Sequence, residues 1–310
     1  MASRFVFLKS TFFLVSGVST LTSDPRLNMI PGEGTGVREK GKRLLSYLQE
    51  EYVRWSSARL DRKMCGNDAY WVFILGVNNS GTTILAKILE THPEVRALPA
   101  EGQHLTTAFP RPDLLGCGRL WSSRMDVFRW SKDHDPMPAL RAKKDWMKLY
   151  SKDKGILLEK SPPNTVRSLW LQRNFTPSRF LAIIRSPYAV CEGIRRRKEY
   201  NLHQAAAHWN TANTCLLGDL QQIEKKLLVK YEDLVEDTQE TLAKIERFLE
   251  LERPFDLDDS VGLSAHSIEG TTTGLRNLNE ESMSRLSQAD IYDINTICGD
   301  LMRQLGYSLR

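Results

Sequence analysis

The chain has 310 residues, of which 41% are hydrophobic and 26% charged, and its formal net charge at pH 7 is +5. This composition is typical of a soluble globular protein, and the length suits one large domain with appendages. The small positive excess favours an anionic ligand, and without a long basic stripe it argues against nucleic acid as a partner. None of the five cysteines stands in a Cys-x-x-Cys pair, so neither a metal site nor a disulfide framework is indicated.

The N-terminal segment 5–18 is apolar but contains Lys9, and it is short for a membrane span. We expect a poorly ordered tail or a weak targeting segment over residues 1–36, because residues 19–36 have a linker composition. The cysteine pattern favours a cytoplasmic protein. The alternative is a membrane-anchored or secretory-pathway protein that uses residues 5–18.

Residues 37–310 are expected to form a single domain that begins with a charged amphipathic helix, 39–63. Apolar side chains share one face of this helix, namely those of Leu44, Leu45, Leu48, Tyr52 and Trp55. Strands and helices then alternate along the chain. The predicted strands are 71–77, 156–159, 180–185 and 227–231, and the predicted helices are 82–90, 165–175, 189–199, 203–223 and 238–251. The last helix carries a capping signal, Asp237-x-x-Glu240.

This alternation predicts an α/β fold, a three-layer parallel sheet with helices on both faces. In such sheets ligands bind at the carboxyl ends of the strands. Residues 102–150 interrupt the pattern with prolines, tryptophans and many basic residues. We predict an insertion over the carboxyl edge of the sheet that shapes an acceptor pocket. The competing interpretation is that its tryptophans are simply core residues.

A glycine-flanked turn at 76–83 follows the first strand and opens a helix, as in loops that bind phosphate through backbone N–H groups. Gly76 and Gly81 fit the spacing of the nucleotide-binding P-loop, but Thr82 stands where that motif has lysine. No later strand ends in a clear Mg²⁺-binding aspartate either. A kinase or NTPase is therefore the less favoured alternative.

Four blocks, in order over residues 70–250, resemble the sulfotransferases that use 3′-phosphoadenosine 5′-phosphosulfate (PAPS). They are Ser80-Gly81-Thr82-Thr83, Glu159-Lys160-Ser161-Pro162, Ile183-Ile184-Arg185-Ser186-Pro187 and Lys230-Tyr231-Glu232-Asp233-Leu234. Tyrosylprotein and related bacterial sulfotransferases look most similar, and they share the stretch at residues 92–96. The resemblance implies a P-loop-like fold and in-line transfer of a sulfuryl group to a hydroxyl or amine, without a metal. It also implies 3′-phosphoadenosine 5′-phosphate (PAP) as product. The tryptophans and arginines of the insertion suit a small-molecule, glycan or phenolic acceptor alike.

The same resemblance assigns binding roles for PAPS. Residues 79–83 would contact the 5′-phosphosulfate, and Arg185 the 3′-phosphate. Within the run 195–197, Arg197 is favoured as a further phosphate contact, although such a run is often only a solvated face. Tyr231 would contact the adenine or the 3′-phosphate, or else is an ordinary strand residue. Arg276 lies in a loop that resembles the family's closing loop.

Two positions depart from the family pattern. Gly193 stands where the family often has a serine that binds the 3′-phosphate, and Asn79 stands where many relatives have lysine or arginine. We assign Lys160 the role of neutralising charge on the leaving oxygen. These departures keep open a third possibility, a non-catalytic binding protein on a sulfotransferase scaffold.

The catalytic base has two candidates. Glu101 lies where tyrosylprotein sulfotransferases place their catalytic glutamate, and it is preferred. His104 is the alternative, because cytosolic sulfotransferases use histidine. Either side chain is capable of general-base catalysis.

Overall fold

The computed structural model describes residues 37–65, 69–150, 155–197, 200–256 and 277–310. The chain separates into two units, residues up to Gln49 and Glu50–Arg310. The first helix, α1 (Val37–Cys65), crosses this boundary and matches the predicted helix to within two residues. Within the second unit, the face that packs is not the apolar face marked by the sequence. Tyr52 and Trp55 are 65% and 56% exposed, whereas Val53, Ser57 and Asp61 are buried.

The sheet has five strands among the described residues, and all of its pairings are parallel. The strands are β1 (Trp71–Leu75), β2 (Val95–Ala97), β3 (Ile156–Lys160), β4 (Ser178–Ile184) and β5 (Lys226–Lys230), and their spatial order is β2-β3-β1-β4-β5. Every side chain of β1 is fully buried, which explains its uninterrupted apolar sequence. The strands that follow β1 in the chain lie on both sides of it, with β3 and β2 on one side and β4 and β5 on the other. Ligands bind at such a switch point in parallel sheets.

Helices cover both faces of the sheet. They are α2 (Thr82–Glu90), α3 (Met125–Phe128), α4 (Met137–Trp146), α5 (Ser168–Asn174), α6 (Pro187–Arg195), α7 (Leu202–Leu220), α8 (Tyr231–Glu236), α9 (Thr238–Leu249), α10 (Asn279–Met283) and α11 (Gln288–Gln304). Alternate residues of β1 enter two separate apolar clusters: Trp71 and Phe73 face one side, and Val72 and Ile74 the other. The predicted three-layer α/β fold is therefore confirmed.

Two local predictions were wrong. The helix predicted over 165–175 is interrupted at Arg167, where a 3₁₀ turn (Pro162–Val166) gives way to α5, because Arg167 has non-helical dihedral angles of −131° and 22°. The capping signal Asp237-x-x-Glu240 forms no side-chain cap on α9, and Glu240 pairs instead with Lys244 at 2.7 Å. The capping boxes described in the structure are those of α7 and α11.

The insertion 102–150 packs as part of the core. Trp121 and Trp146 are fully buried and Trp130 is 7% exposed, as the core interpretation of these tryptophans predicts. The ammonium of Lys143, on α4, is also fully buried and lies 2.6 Å from the carboxylate of Asp61 on α1. This pair ties the insertion to the second half of α1. The insertion is thus a fixed part of the fold that delivers residues to the edge of the sheet.

All five cysteines lie in the described residues and carry free thiols. Among the described helices, none is sufficiently long and apolar to cross a bilayer. The expected tail 1–36, with its candidate targeting segment 5–18, lies outside the described residues, as does the expected closing loop with Arg276.

Candidate active site

The loop between β1 and α2 is built on three residues with positive φ: Gly76 (155°), Asn79 (68°) and Gly81 (102°). A Cβ atom on Gly76 would lie 2.6 Å from the carbonyl oxygen of Ile183, so this position requires glycine. The amide of Gly76 donates to Thr165 Oγ1 at 2.8 Å, which fixes the start of the loop. Asparagine tolerates the left-handed conformation better than most residues, which suits Asn79 to its position. The loop leads into the N-terminus of α2, where backbone N–H groups have no partner within the helix.

A cleft of about 280 Å³ opens at this edge of the sheet. It is lined by residues from the loop, the insertion, the ends of β3 and β4, α6 and α10. The predicted site residues among them are Asn79, Gly81, Thr82, Thr83, Glu101, Lys160, Arg185, Gly193 and Arg197. Ser80 is fully buried and its hydroxyl donates to Val77 O at 2.7 Å, so this hydroxyl stabilises the loop and does not face the cleft. Tyr231 is also fully buried, against Gly81, and is not part of the cleft wall.

The candidate catalytic groups meet in this cleft. The Lys160 ammonium lies 2.7 Å from Glu101 Oε1 and 3.4 Å from the Thr83 hydroxyl. The other carboxylate oxygen of Glu101 accepts a hydrogen bond from Gln103 Nε2 at 2.7 Å, and His104 Nε2 lies 3.6 Å from it. The structure thus brings Glu101, Lys160 and the end of the glycine-rich loop into one contact cluster, with His104 at its margin.

A buried network holds this cluster in place. The Glu159 carboxylate accepts hydrogen bonds from the Gly102 amide at 2.9 Å, from the Ser161 hydroxyl at 2.5 Å and from the Asn164 side chain. Burial raises the pKa of Glu159. Because Gly102 follows Glu101 directly and Glu159 precedes Lys160, one buried side chain ties together the backbones that carry both candidate catalytic residues. Sequence reasoning recorded Glu159 only as part of a motif and missed this role.

The network ends at a buried arginine. Arg167 donates to Asn164 Oδ1 at 2.7 Å, and its guanidinium carbon lies 4.4 Å from the ring centre of Phe109 and 5.2 Å from that of Trp130. Burial lowers the pKa of Arg167 to about 10, which leaves the side chain charged at neutral pH. Aromatic faces stabilise a desolvated cation in this arrangement. The insertion supplies Phe109 and Trp130. It therefore stabilises the buried arginine at the end of the network that holds the site.

Arg185 closes the other side of the cleft. It is 8% exposed, its guanidinium carbon lies 4.0 Å from the ring centre of Tyr231, and its Nη1 donates to the carbonyl of Asn79 at 3.1 Å. Its Nε donates to Asn279 Oδ1 at 2.8 Å. Burial lowers the pKa of Arg185, although an arginine in a protein stays protonated near neutral pH. Tyr231 thus contacts the arginine rather than the cleft.

Several further arginines line the cleft, and the sequence singled out only some of them. Of the run 195–197, Arg196 and Arg197 line the cleft, whereas Arg195 pairs with Asp290 at 2.9 Å. The further arginines in the wall are Arg119, from the insertion, and Arg285, from the turn after α10. The basic composition of the insertion was a general signal for Arg119, but no spacing pattern marked that residue. The cleft thus combines several cationic side chains with a paired carboxylate and ammonium at the carboxyl edge of a parallel sheet, a lining that suits an anionic ligand.

Comparison with known proteins identifies the family. The model of the sulfotransferase family matches residues 72–256, which is more than half of the chain. The protein therefore belongs to the sulfotransferase family, as the four sequence blocks predicted. Protein-tyrosine sulfotransferase 2 of Gallus gallus is 27% identical over 222 residues. That match covers 67% of this chain and 58% of the relative, so it spans less than two thirds of the relative's length.

The likeness to one solved structure supports the fold. The sulfotransferase domain of the olefin synthase from Synechococcus PCC 7002 superposes with a TM-score of 0.52 at 21% identity, and covers 78% of this chain and 96% of that domain. The sulfotransferase STF9 from Mycobacterium avium gives a TM-score of 0.49 at 14% identity, over 83% of this chain and 82% of its own.

Proposed function

We propose that this protein transfers a sulfuryl group from PAPS to a hydroxyl or amine acceptor. The observation that carries the proposal is the contact between Glu101 and Lys160 at 2.7 Å, beside Thr83 at the end of the glycine-rich loop. This arrangement offers a carboxylate that can act as a base and, beside it, an ammonium that can stabilise a leaving group. Family membership supports the same reaction class.

The residues present fit a donor of this kind. The loop offers backbone N–H groups at a helix N-terminus, and the cleft walls are rich in arginine. The Asn79 Nδ2 atom is buried and has no hydrogen-bond partner among the described residues, which leaves a donor for a ligand. Thr82 and Thr83 would hold the 5′-phosphosulfate, and Arg185 with Arg197 the 3′-phosphate. When bound, PAPS supplies the sulfuryl group that is transferred, and its 5′-phosphate is a good leaving group.

The chain's own groups divide the work of the transfer. Glu101 accepts the proton of the acceptor hydroxyl while the acceptor oxygen forms its bond to sulfur. On taking that proton Glu101 loses its negative charge, so the Lys160 ammonium at 2.7 Å is no longer compensated. Lys160 is then available to stabilise the electron pair left on the 5′-phosphate oxygen as the old bond to sulfur breaks. The ion pair therefore links deprotonation of the acceptor to stabilisation of the leaving group.

The acceptor is proposed by class only: a phenol, another small molecule or a glycan. A phenol is the first to test, because a relative carries the name protein-tyrosine sulfotransferase. We further propose that the transfer needs no divalent cation, since the proposed charge stabilisation comes from Lys160 and the arginines of the cleft. Product formation with a chelator present tests this directly.

The experiment is a transfer assay with sulfur-labelled PAPS, a panel of acceptors, and the variants Glu101→Ala and Lys160→Ala. Labelled product with the natural protein and its loss in both variants would support the proposal. Glu94→Ala, which changes a glutamate outside the cleft, is the matched control and should keep its activity. Label taken from the γ-phosphate of ATP only with Mg²⁺ would favour a kinase. PAP binding without any transfer would favour a binding protein.

A further inference from the structure

The two departures from the family pattern, Asn79 and Gly193, lie against each other. A Cβ atom built on Gly193 would be 2.9 Å from Asn79 Nδ2 and 3.3 Å from its Cγ. Real Cβ atoms essentially never lie within 3.0 Å of another heavy atom, so the asparagine amide occupies the space that a side chain at position 193 would need. A side chain at position 193 would therefore require the asparagine side chain to move.

Arg119 determines which way the amide points. Its Nη1 donates to Asn79 Oδ1 at 2.8 Å, and because arginine is only a donor, the atom it contacts must be the amide oxygen. The Nδ2 group is thereby turned toward Gly193. There it is buried and finds no partner among the described residues, although a buried N–H donor without a hydrogen bond is costly.

The surroundings of this unused donor suit an anion. Asn79 and Gly193 line the same cleft as Arg185 and Arg197, and the Arg185 guanidinium is bonded to the Asn79 carbonyl. The Asn79 Nδ2 group also lies beside α6, the helix that follows Arg185. Arg185 and Arg197 are both proposed above as contacts of the 3′-phosphate of PAPS.

We propose that the Asn79 side-chain amide binds the 3′-phosphate of the donor, with Arg119 as the residue that positions it and brings positive charge to the loop. The amide N–H takes the place of a serine hydroxyl on α6, and Arg119 brings, from the insertion, the charge that Asn79 lacks. This inference rests on the proposed function, because it presumes a nucleotide with a 3′-phosphate.

The test compares the affinities of variants for PAP and for adenosine 5′-monophosphate, which lacks the 3′-phosphate. Asn79→Gly removes the amide without backbone strain at φ 68° and should weaken PAP binding about tenfold to a hundredfold. Binding of the monophosphate should change little. Asn79→Asp keeps the shape and the left-handed backbone but removes the donor, and should bind PAP more weakly still. It serves as the second variant if Asn79→Gly is poorly folded.

The double variant Asn79→Gly/Gly193→Ser tests whether the two side chains share one place, and it should regain most of the lost affinity for PAP. Arg119→Ala should lose affinity by an amount that is not additive with Asn79→Gly, since the two residues act as a unit. Arg111→Ala, in the same insertion but paired with Asp113 outside the cleft, is the control and should bind as the natural protein does.

Three outcomes would overturn the inference alone: Asn79→Gly binds PAP as tightly as the natural protein, it loses the monophosphate equally, or the double variant binds no better than Asn79→Gly. Failure of the natural protein to bind PAP would instead overturn the proposed function and the inference with it. Melting temperatures of all variants, measured in parallel, separate a local loss of binding from unfolding.

Discussion

Replacing Glu101 by glutamine removes the proposed base while keeping the shape of the site. The glutamine oxygen is still able to accept from Lys160, which lies 2.7 Å from the carboxylate. The new amide nitrogen replaces the oxygen that accepts from Gln103 Nε2, so the Gln103 amide must turn over and accept through its own oxygen. The variant loses the ability to take a proton and the negative charge beside Lys160. General-base catalysis contributes about 10² to 10⁴ in rate, so kcat should fall by a factor in that range. Affinity for PAP should stay equal or rise, because one negative charge leaves an anion-binding cleft.

The assay is steady-state transfer from PAPS over a range of pH, with PAP affinity measured by calorimetry on the same preparations. Glu94→Gln, outside the cleft, is the control and should retain full kcat. His104→Gln tests the alternative base, whose Nε2 lies 3.6 Å from Glu101, and should lose less than about tenfold. If Glu101→Gln keeps more than a third of the natural kcat, or if His104→Gln loses the larger factor, the assignment of Glu101 as base is refuted.

Three further predictions concern binding and stability. Arg185→Lys gives up the contact of the guanidinium with the Tyr231 ring and the forked donor geometry, so it should weaken PAP binding about tenfold by calorimetry. Unchanged affinity would contradict the proposed role of Arg185. Lys143→Met leaves the Asp61 carboxylate buried without its partner, so denaturant unfolding should show a loss of about 3–5 kcal/mol; a loss below ~1 kcal/mol would show that the pair is not desolvated. Burial lowers the pKa of His208 from 6.5 to about 3. As the pH falls below 6.5, this histidine therefore binds a proton in the unfolded chain but stays neutral in the folded chain. This group should therefore lower the free energy of unfolding by about 1.4 kcal/mol for each pH unit of acidification in this window. The unfolding free energy of His208→Gln should depend less steeply on pH, and an equal dependence would contradict the prediction.

Three strands of the sheet, β1, β3 and β4, were predictable because they are buried over most of their length. The edge strand β5 is partly exposed, and the three-residue strand β2 was not predicted. Buried strands are continuous apolar runs, as β1 shows, and the polar motifs that follow them all come to one edge. The candidate site residues at strand ends, Lys160 and Arg185, lie in the cleft for the same reason. Family motifs added Glu101, which no periodicity would have marked.

The rest depended on contacts between residues far apart in the chain. Arg119 meets Asn79 across 40 positions, and no spacing rule connects the insertion to the loop. Tyr231 was expected near the nucleotide, but packing against Gly81 buries it behind the loop. The C-terminal helices α10 and α11 were not predicted, although Ser287 with Asp290 forms the capping box of α11. Local patterns specify elements, whereas the wall of a cleft is determined by tertiary packing.

The claim that the cleft is built for a 3′-phosphorylated adenosine donor is tested most directly by calorimetric titration of the full chain. Two ligands are compared: PAP in the presence of a chelator, and ATP with Mg²⁺. We predict that PAP binds in the micromolar range without a metal and that ATP with Mg²⁺ binds at least about tenfold more weakly, since Thr82 replaces the lysine of a triphosphate loop. Tighter binding of ATP with Mg²⁺, or no heat from PAP at millimolar concentration, would contradict the account.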